Sequence, residues 1–313
     1  MNPMVFWKNL FHMGKYDLLA ELNDCQRQLQ AISERLLFHD LMDMLRDGKH
    51  PEFLEELRYM ESVGKAVRFP YPMIRPPETV ETGRDSLPYV LHKGHKLYFP
   101  KRWTNSRVEW QYRHFIEREN LTGEGYLSKA PHQYQSNRVH VQAGDVVVDI
   151  GAAEGLFSLD VAERASKIYL FENDASWYAP LKKTFAPYRE KTVLIPKTVA
   201  NRDTRSSIRL ANALKSEQGK RMFVKMDIEG AEISVLKASK DFLQNEKNLK
   251  LACCTYHRAN DAEIMEKFFN ELGYSTEFSD GFTLTLAYKL EYPYFRRGVL
   301  RAFREECASI SPL

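Results

Sequence analysis

Five short apolar runs set the frame of this chain: Val146 to Ile150, Ile168 to Phe171, Val193 to Ile195, Met222 to Met226 and Leu251 to Thr255. Runs of this length without polar alternation suit parallel strands covered on both faces. Between them lie amphipathic segments. Leu156, Phe157, Leu159 and Ala162 follow the first run as a helical face, and Ile233, Leu236 and Phe242 follow the fourth. Another helix begins at Asn260, carries Ile264, Met265, Phe268, Phe269 and Leu272 on one side, and stops at Gly273. Tyr274 to Phe278 and Thr283 to Tyr288 then alternate, joined by Asp280-Gly281, and read as a closing antiparallel pair. The predicted fold is α/β, a doubly wound seven-stranded sheet with an antiparallel closing strand.

Upstream the periodicity changes. Leu18, Leu22, Cys25, Leu29, Ile32 and Leu36 recur at alternating steps of four and three, the spacing of a coiled-coil seam. Pro51 to Val63 reads as a second helix, opened by proline and closed by Gly64. The seam either packs on that helix or forms a homodimer. Phe69 to Pro88 is proline-rich and aperiodic, hence a loop. Tyr89 to Pro100 reads as a hairpin turning at Lys93-Gly94, and a helix from Thr104 carries Val108, Tyr112, Phe115 and Ile116. The chain thus divides into a helical region (1–68), a linker, hairpin and cap region (69–130) and a sheet domain (131–313).

Candidate chemistry gathers at the ends of the apolar runs, where open α/β sheets bind ligands. Asp149 ends the first run and precedes Gly151, Ala152, Ala153, Glu154 and Gly155, a small-residue loop that lets backbone approach a ligand closely. The loop lacks the third glycine of the dinucleotide fingerprint, so a different nucleoside ligand is favoured over NAD. Glu172 ends the second run, placed to accept hydrogen bonds from ribose hydroxyls, or alternatively a solvated strand-end acid. Met226 leads into Asp227-Ile228-Glu229-Gly230-Ala231-Glu232. Helix capping accounts for one or two of these acids and leaves the block as a whole unexplained.

VVDIGAAEG, LFEND and KMDIEGAE, in that order and spacing, resemble the FkbM family of S-adenosylmethionine-dependent methyltransferases over about residues 130 to 290. The resemblance implies a class I methyltransferase-like sheet, S-adenosyl-L-methionine as cofactor and methyl transfer, usually to oxygen. It implies that Asp149, Gly151 and the loop to Gly155 hold the methionine portion, that Glu172 holds the ribose, and that Asp227 faces the transferring methyl. Adenine contacts would fall at Ala200 and Asn201. The chain departs from the family in carrying Asn173 where proline is frequent, and in a short segment between the third and fourth strands.

An unactivated hydroxyl must lose its proton during transfer, and Asp227 and His257, at the ends of adjacent strands, are the candidate bases. Asp227, Glu229 and Glu232 also offer hard oxygen ligands to a divalent metal, although their spacing is not diagnostic. Trp103, His132, Tyr134 and Glu229 are candidate acceptor contacts, against the plainer reading of core and surface residues.

The 313 residues carry a net charge of +3, divided as +2 before Val141 (20 minus 18) and +1 after it (25 minus 24). Neither part has the strongly basic footprint of a nucleic-acid binder, so the expected partner is a small-molecule or carbohydrate acceptor. Cys25, Cys253, Cys254 and Cys307 form no metal-ligand spacing and no disulfide framework. The start shows no cleavage-site pattern and no apolar run long enough to span a bilayer, and a cytoplasmic protein is expected. Phe6, Trp7, Leu10 and Phe11, beside Lys8 and Lys15, suit an amphipathic helix packed on the protein or resting on a membrane surface. The expected activity is O-methylation of a sugar, a glycolipid precursor or a small metabolite. A nicotinamide-dependent oxidoreductase and a non-catalytic assembly protein are the alternatives.

Overall fold

A computed structural model of the chain describes residues 15–285 and 292–304. The segment holding Phe6 to Phe11, the predicted strand residues after Thr285, and Cys307 lie outside them. The described residues form two compact units, one of those up to Pro70 with Leu284, Thr285 and Tyr292–Tyr294, the other of Tyr71–Thr283 with those from Phe295.

In the first unit the helix Lys15–Asp47 packs on the helix Leu54–Val63, which Gly64 closes in a left-handed conformation at φ 67°. Leu37, Leu41, Leu57 and Met60 are buried, whereas Leu22, Leu29, Ile32 and Leu36 are 54–60% exposed. The expected packing of the seam on the second helix therefore does not form. Length explains it: at 1.5 Å per residue the second helix covers about 15 Å of a partner about 50 Å long, so only the last turns of the longer helix are reached.

The second unit opens with an antiparallel sheet of β1 (Thr82–Arg84), β2 (Pro88–His92) and β3 (His95–Tyr98). Lys93 and Gly94 turn the predicted hairpin, both with positive φ, as a two-residue loop of this hand requires. Thr104 caps the helix Asn105–Arg113, its hydroxyl accepting from Arg107 N. The main sheet then uses β4 (Val146–Ile150), β5 (Lys167–Phe171) and β6 (Thr192–Ile195). A small parallel pair follows, β7 (Thr198–Val199) with β8 (Ser207–Ile208). Next come β9 (Met222–Met226), β10 (Leu249–Cys254), β11 (Ser275–Phe278), the short β12 (Phe282–Leu284) and β13 (Phe295–Arg297), and β14 (Val299–Phe303).

Strand order in the seven-stranded sheet is β11-β14-β10-β9-β4-β5-β6, with β14 antiparallel to both neighbours. The crossover helices include Leu156–Asp160, Tyr178–Thr184, Glu232–Ala238 and Asp261–Glu271. Every residue of β4, β9 and β14 is buried, as central strands covered on both faces must be. Side-chain alternation divides the core, with Val147 and Phe223 in one layer and Val146, Val148, Ile150, Met222, Val224 and Met226 in the other. Val193 is 37% exposed because β6 is the sheet edge, not the buried strand its composition suggested.

The closing pair differs from the expected hairpin. β11 pairs with β14, Ser275 opposite Phe303 and Phe278 opposite Leu300, rather than with the segment after Gly281. The apolar Val299–Phe303 fills the open edge of β10 as well, and its burial on both faces outcompetes a local hairpin.

Candidate functional site

Asp149 and Lys225 are register partners on β4 and β9. The buried ammonium lies 2.9 Å from Asp149 Oδ1 and donates to Gly151 O at 2.6 Å, while Ser158 Oγ donates to Asp149 Oδ2 at 2.7 Å. A charge inside an apolar strand persists only when paired. Burial opposes the charge on Lys225, but Asp149 and Asp227 outweigh it and hold its pKa above the ordinary value. This pair clamps the end of β4 to the loop beyond it. Asp149 itself is 1% exposed and lies outside the cavity lining, so it supports the loop from beneath.

The loop turns tightly, with φ of 80° at Gly151, 46° at Ala153 and 82° at Gly155. A Cβ on Gly151 would stand 1.9 Å from Asp227 O, so the loops after β4 and β9 touch backbone to backbone there. Gly151 N and Ala152 N both donate to Phe171 O at 3.0 Å. Glu172 completes the junction: Oε2 accepts from Ala153 N at 2.8 Å and Oε1 from Asp174 N at 2.7 Å. The three sequence signals thus meet in space.

They border a cavity of about 450 Å³ whose lining includes Gly151, Ala153, Glu172, Thr198, Asp227 and Glu229, within the size range of small-molecule sites. Ala152, Glu154 and Gly155 shape the loop without lining the cavity. Burial pushes the Glu154 carboxyl up to about 8. Ala200 and Asn201 are not in the lining either. Lys197, Thr198 and Val199 stand there instead, because β7 ends at Val199 and carries the chain past the cavity before Ala200.

Asp227 receives Tyr134 OH on Oδ2 at 3.0 Å, with His132 Nε2 3.5 Å from the same oxygen and His257 Nε2 3.4 Å from Oδ1. His132 is backed by the buried Glu119, whose Oε2 lies 2.9 Å from Nδ1. Burial would raise the Asp227 carboxyl, but His132, Lys225 and His257 outweigh it and hold it far below the usual range. Burial would lower His132, yet Glu119 and Asp227 lift it to about 9. His257 is raised as well, Glu232, Asp227 and Glu229 overcoming its burial. Its Nδ1 lies 3.1 Å from Glu232 Oε1 and its Nε2 3.6 Å from Glu229 Oε2. At neutral pH Asp227 is therefore a carboxylate at the cavity wall, braced by cations behind it.

The predicted acceptor contacts divide. His132 and Tyr134 gather at Asp227 but are buried, 4% exposed each, and so brace the carboxylate. Glu229 stands at the cavity with a side chain 91% exposed. Trp103 lies elsewhere, its ring 5.6 Å from those of Phe99 and Trp177 and Arg107 stacked over it at 3.9 Å. Lys225, Ser158 and Glu119 were not singled out from the sequence. A lysine inside the apolar run MFVKM is a visible signal that a buried partner must exist; Glu119 carries no such mark.

The fold is that of the class I methyltransferases. Its basis is the strand order, the reversed β14 and the loop at the end of β4. No protein-family model matches the sequence, and no curated protein matches it. Among solved structures, similarity extends to the METTL16 MTase domain at 15% identity and a TM-score of 0.39, covering 68% of this chain and 75% of that one. Precorrin-6y C5,15-methyltransferase from Geobacter metallireducens GS-15 is similar at 12% identity and a TM-score of 0.37, covering 54% and 84%. SMU.1697c, a putative methyltransferase from Streptococcus mutans in complex with SAH, is similar at 13% identity and a TM-score of 0.32, covering 53% and 91%. No helix among the described residues is long and apolar enough to cross a membrane.

Proposed function

We propose that this chain is an S-adenosylmethionine-dependent O-methyltransferase of FkbM type, acting on a hydroxyl of a sugar, a glycolipid precursor or a small metabolite. One observation carries the reading: Glu172 grips the glycine loop at Ala153 in the lining of a cavity that also presents Asp227. A carboxylate held this way has lone pairs left for ribose hydroxyls. The nucleoside lies along the loop and Glu172, with Thr198 near its base, and the sulfonium points toward Asp227.

Methyl transfer is an in-line displacement in which the C–O bond forms as the C–S bond breaks and sulfur keeps the electron pair. Holding the reactants at attack distance supplies about 7–11 kcal/mol in favourable cases. Asp227 stands in the cavity lining as a carboxylate and orients the acceptor hydroxyl there. The acceptor's proton passes to solvent at the mouth, beside the exposed Glu229. His132 and Lys225 keep Asp227 anionic, which also favours the nearby sulfonium. The weakly basic chain, at net +3, favours a small acceptor over nucleic acid.

Calorimetry tests the cofactor. S-adenosylhomocysteine should bind, and binding should weaken in Glu172→Ala. Preferential binding of NAD, or no nucleoside binding by folded protein, would overturn the assignment. The acceptor is sought as a metabolite one methylene lighter in cells lacking the gene.

A further inference from the structure

Buried side-chain atoms that make no hydrogen bond concentrate at one place. Among the described residues there are eleven such atoms, and four of them belong to three side chains: Asp227 Oδ1, Glu232 Oε2 and both ring nitrogens of His257. One donor atom from each side chain lies within 4.8 Å of the other two. Glu232 is wholly buried, and its second oxygen, Oε1, accepts from Ile228 N at 2.8 Å, which fixes the carboxylate in place. The His257 side chain is 9% exposed. Leaving buried polar atoms without partners is costly, and clustered exceptions call for a ligand.

An imidazolium lodged between the two acids would account for the ion-pair contacts of Nε2 with Asp227 Oδ1 at 3.4 Å and of Nδ1 with Glu232 Oε1 at 3.1 Å. It would still leave the buried Glu232 Oε2 without a partner. A cation that sets its own bond directions satisfies all three groups at once. We propose that Asp227, Glu232 and His257 bind a divalent first-row transition metal ion, of the class of Mn²⁺, Co²⁺ or Zn²⁺, at the acceptor side of the cavity.

The donor set decides the class. One imidazole nitrogen with two carboxylate oxygens suits these ions, whereas Ca²⁺ takes six to eight oxygens and Mg²⁺ favours an octahedron of oxygen ligands. Three protein ligands leave positions open, as in catalytic rather than structural sites, and Asp227 joins the cluster to the cavity lining. A second cluster, His132, Asp227 and Cys254, shares one carboxylate, but His132 Nε2 there already meets Tyr134 OH at 3.0 Å.

The ion's task rests on the methyltransferase reading; its binding does not. An open position would take the acceptor oxygen and ease loss of its proton to solvent. The oxygen's lone pair then forms the C–O bond as the C–S bond breaks and sulfur leaves with its electrons. His257, committed to the ion, is a ligand rather than the base.

The test titrates the full-length chain, stripped with chelator and dialysed, with Co²⁺. The expected result is one equivalent bound, with visible d–d absorption of an oxygen and nitrogen site and no thiolate-to-cobalt charge-transfer band. His257→Gln should weaken this binding at least about 100-fold, since even supporting residues of metal sites cost about 10–100-fold. Cys254→Ala should leave it unchanged. Glu232→Gln should match His257→Gln where thermal melting shows it folded. No cobalt spectrum in the wild type, equal binding in folded His257→Gln, or a band abolished by Cys254→Ala would overturn the site. Calorimetry with S-adenosylhomocysteine on the same sample keeps the two readings apart. Nucleoside binding without cobalt sinks the metal site alone, and cobalt binding without nucleoside upholds it while sinking the cofactor assignment.

Discussion

Glu172→Gln probes whether one carboxylate both shapes the glycine loop and holds the ribose. In the native site Oε2 accepts from Ala153 N at 2.8 Å and Oε1 from Asp174 N at 2.7 Å. The amide keeps a single oxygen, so one of these bonds is lost and an N–H is turned toward another N–H. A hydrogen bond to a charged group contributes about 1.5–3 kcal/mol. Glu172 is 7% exposed, so solvent screening offers little relief. Stability in urea should fall by about that amount. Affinity for S-adenosylhomocysteine should fall a further ~10–100-fold if ribose hydroxyls are lost as well, at about 1.4 kcal/mol per factor of ten. The informative comparison uses the 2′,3′-dideoxy analogue. With the native protein it should bind weakly, and Glu172→Gln should then add little, because the hydroxyls that the carboxylate served are already gone. Equal affinity losses for both ligands would show that Glu172 acts only through the loop, and unchanged affinity for both would refute the reasoning altogether.

Three other outcomes follow from the same geometry. Gly151→Ala places a Cβ 1.9 Å from Asp227 O at a φ of 80°, so denaturation should show a loss of more than ~1 kcal/mol and calorimetry a loss of nucleoside binding; a stable, binding-competent variant would mean that the two loops are not in contact. Asp227→Asn should lower turnover by ~10²-fold or more while nucleoside affinity stays nearly constant; unchanged turnover would reduce Asp227 to a structural partner of Tyr134 and His132. Asp160 is lowered to about 2 against its own burial by His92 and Lys93, with a side chain 11% exposed. That stabilisation is complete above the unfolded value near 3.8 and is lost as pH falls through about 2. Asp160→Asn should therefore cost about 2 kcal/mol at pH 7, at ~1.4 kcal/mol per pKa unit, with no difference remaining in strong acid; a penalty of equal size in acid would show that packing, not charge, is responsible.

The sheet was legible where burial decides the outcome. Val146–Ile150 and Met222–Met226 form as read, because a short, largely apolar run whose one charge pairs with its neighbour's suits a strand covered on both faces. The closing strand was misplaced, since a Gly-containing turn signals a hairpin locally while the partner of β11 is chosen by the open edge of β10 far away in sequence. At the site, the glycine loop, Glu172 and Asp227 were visible as residue types at strand ends. The lining at Lys197, Thr198 and Val199 was not, because a two-residue strand ending at Val199 leaves no periodicity to read. Nor was Glu119, whose meaning arises only when folding sets it beside His132.

Glu119 also bears on how this protein tolerates being cut. It precedes the first strand of the main sheet, as does the hairpin whose Tyr98 N donates to Thr184 Oγ1 at 3.0 Å. A shortened polypeptide beginning at the sheet would keep every recognisable sequence signature and still leave His132 without its anchoring acid. Trimming to the sheet domain alone would therefore disturb the very Asp227 carboxylate that the domain is meant to retain.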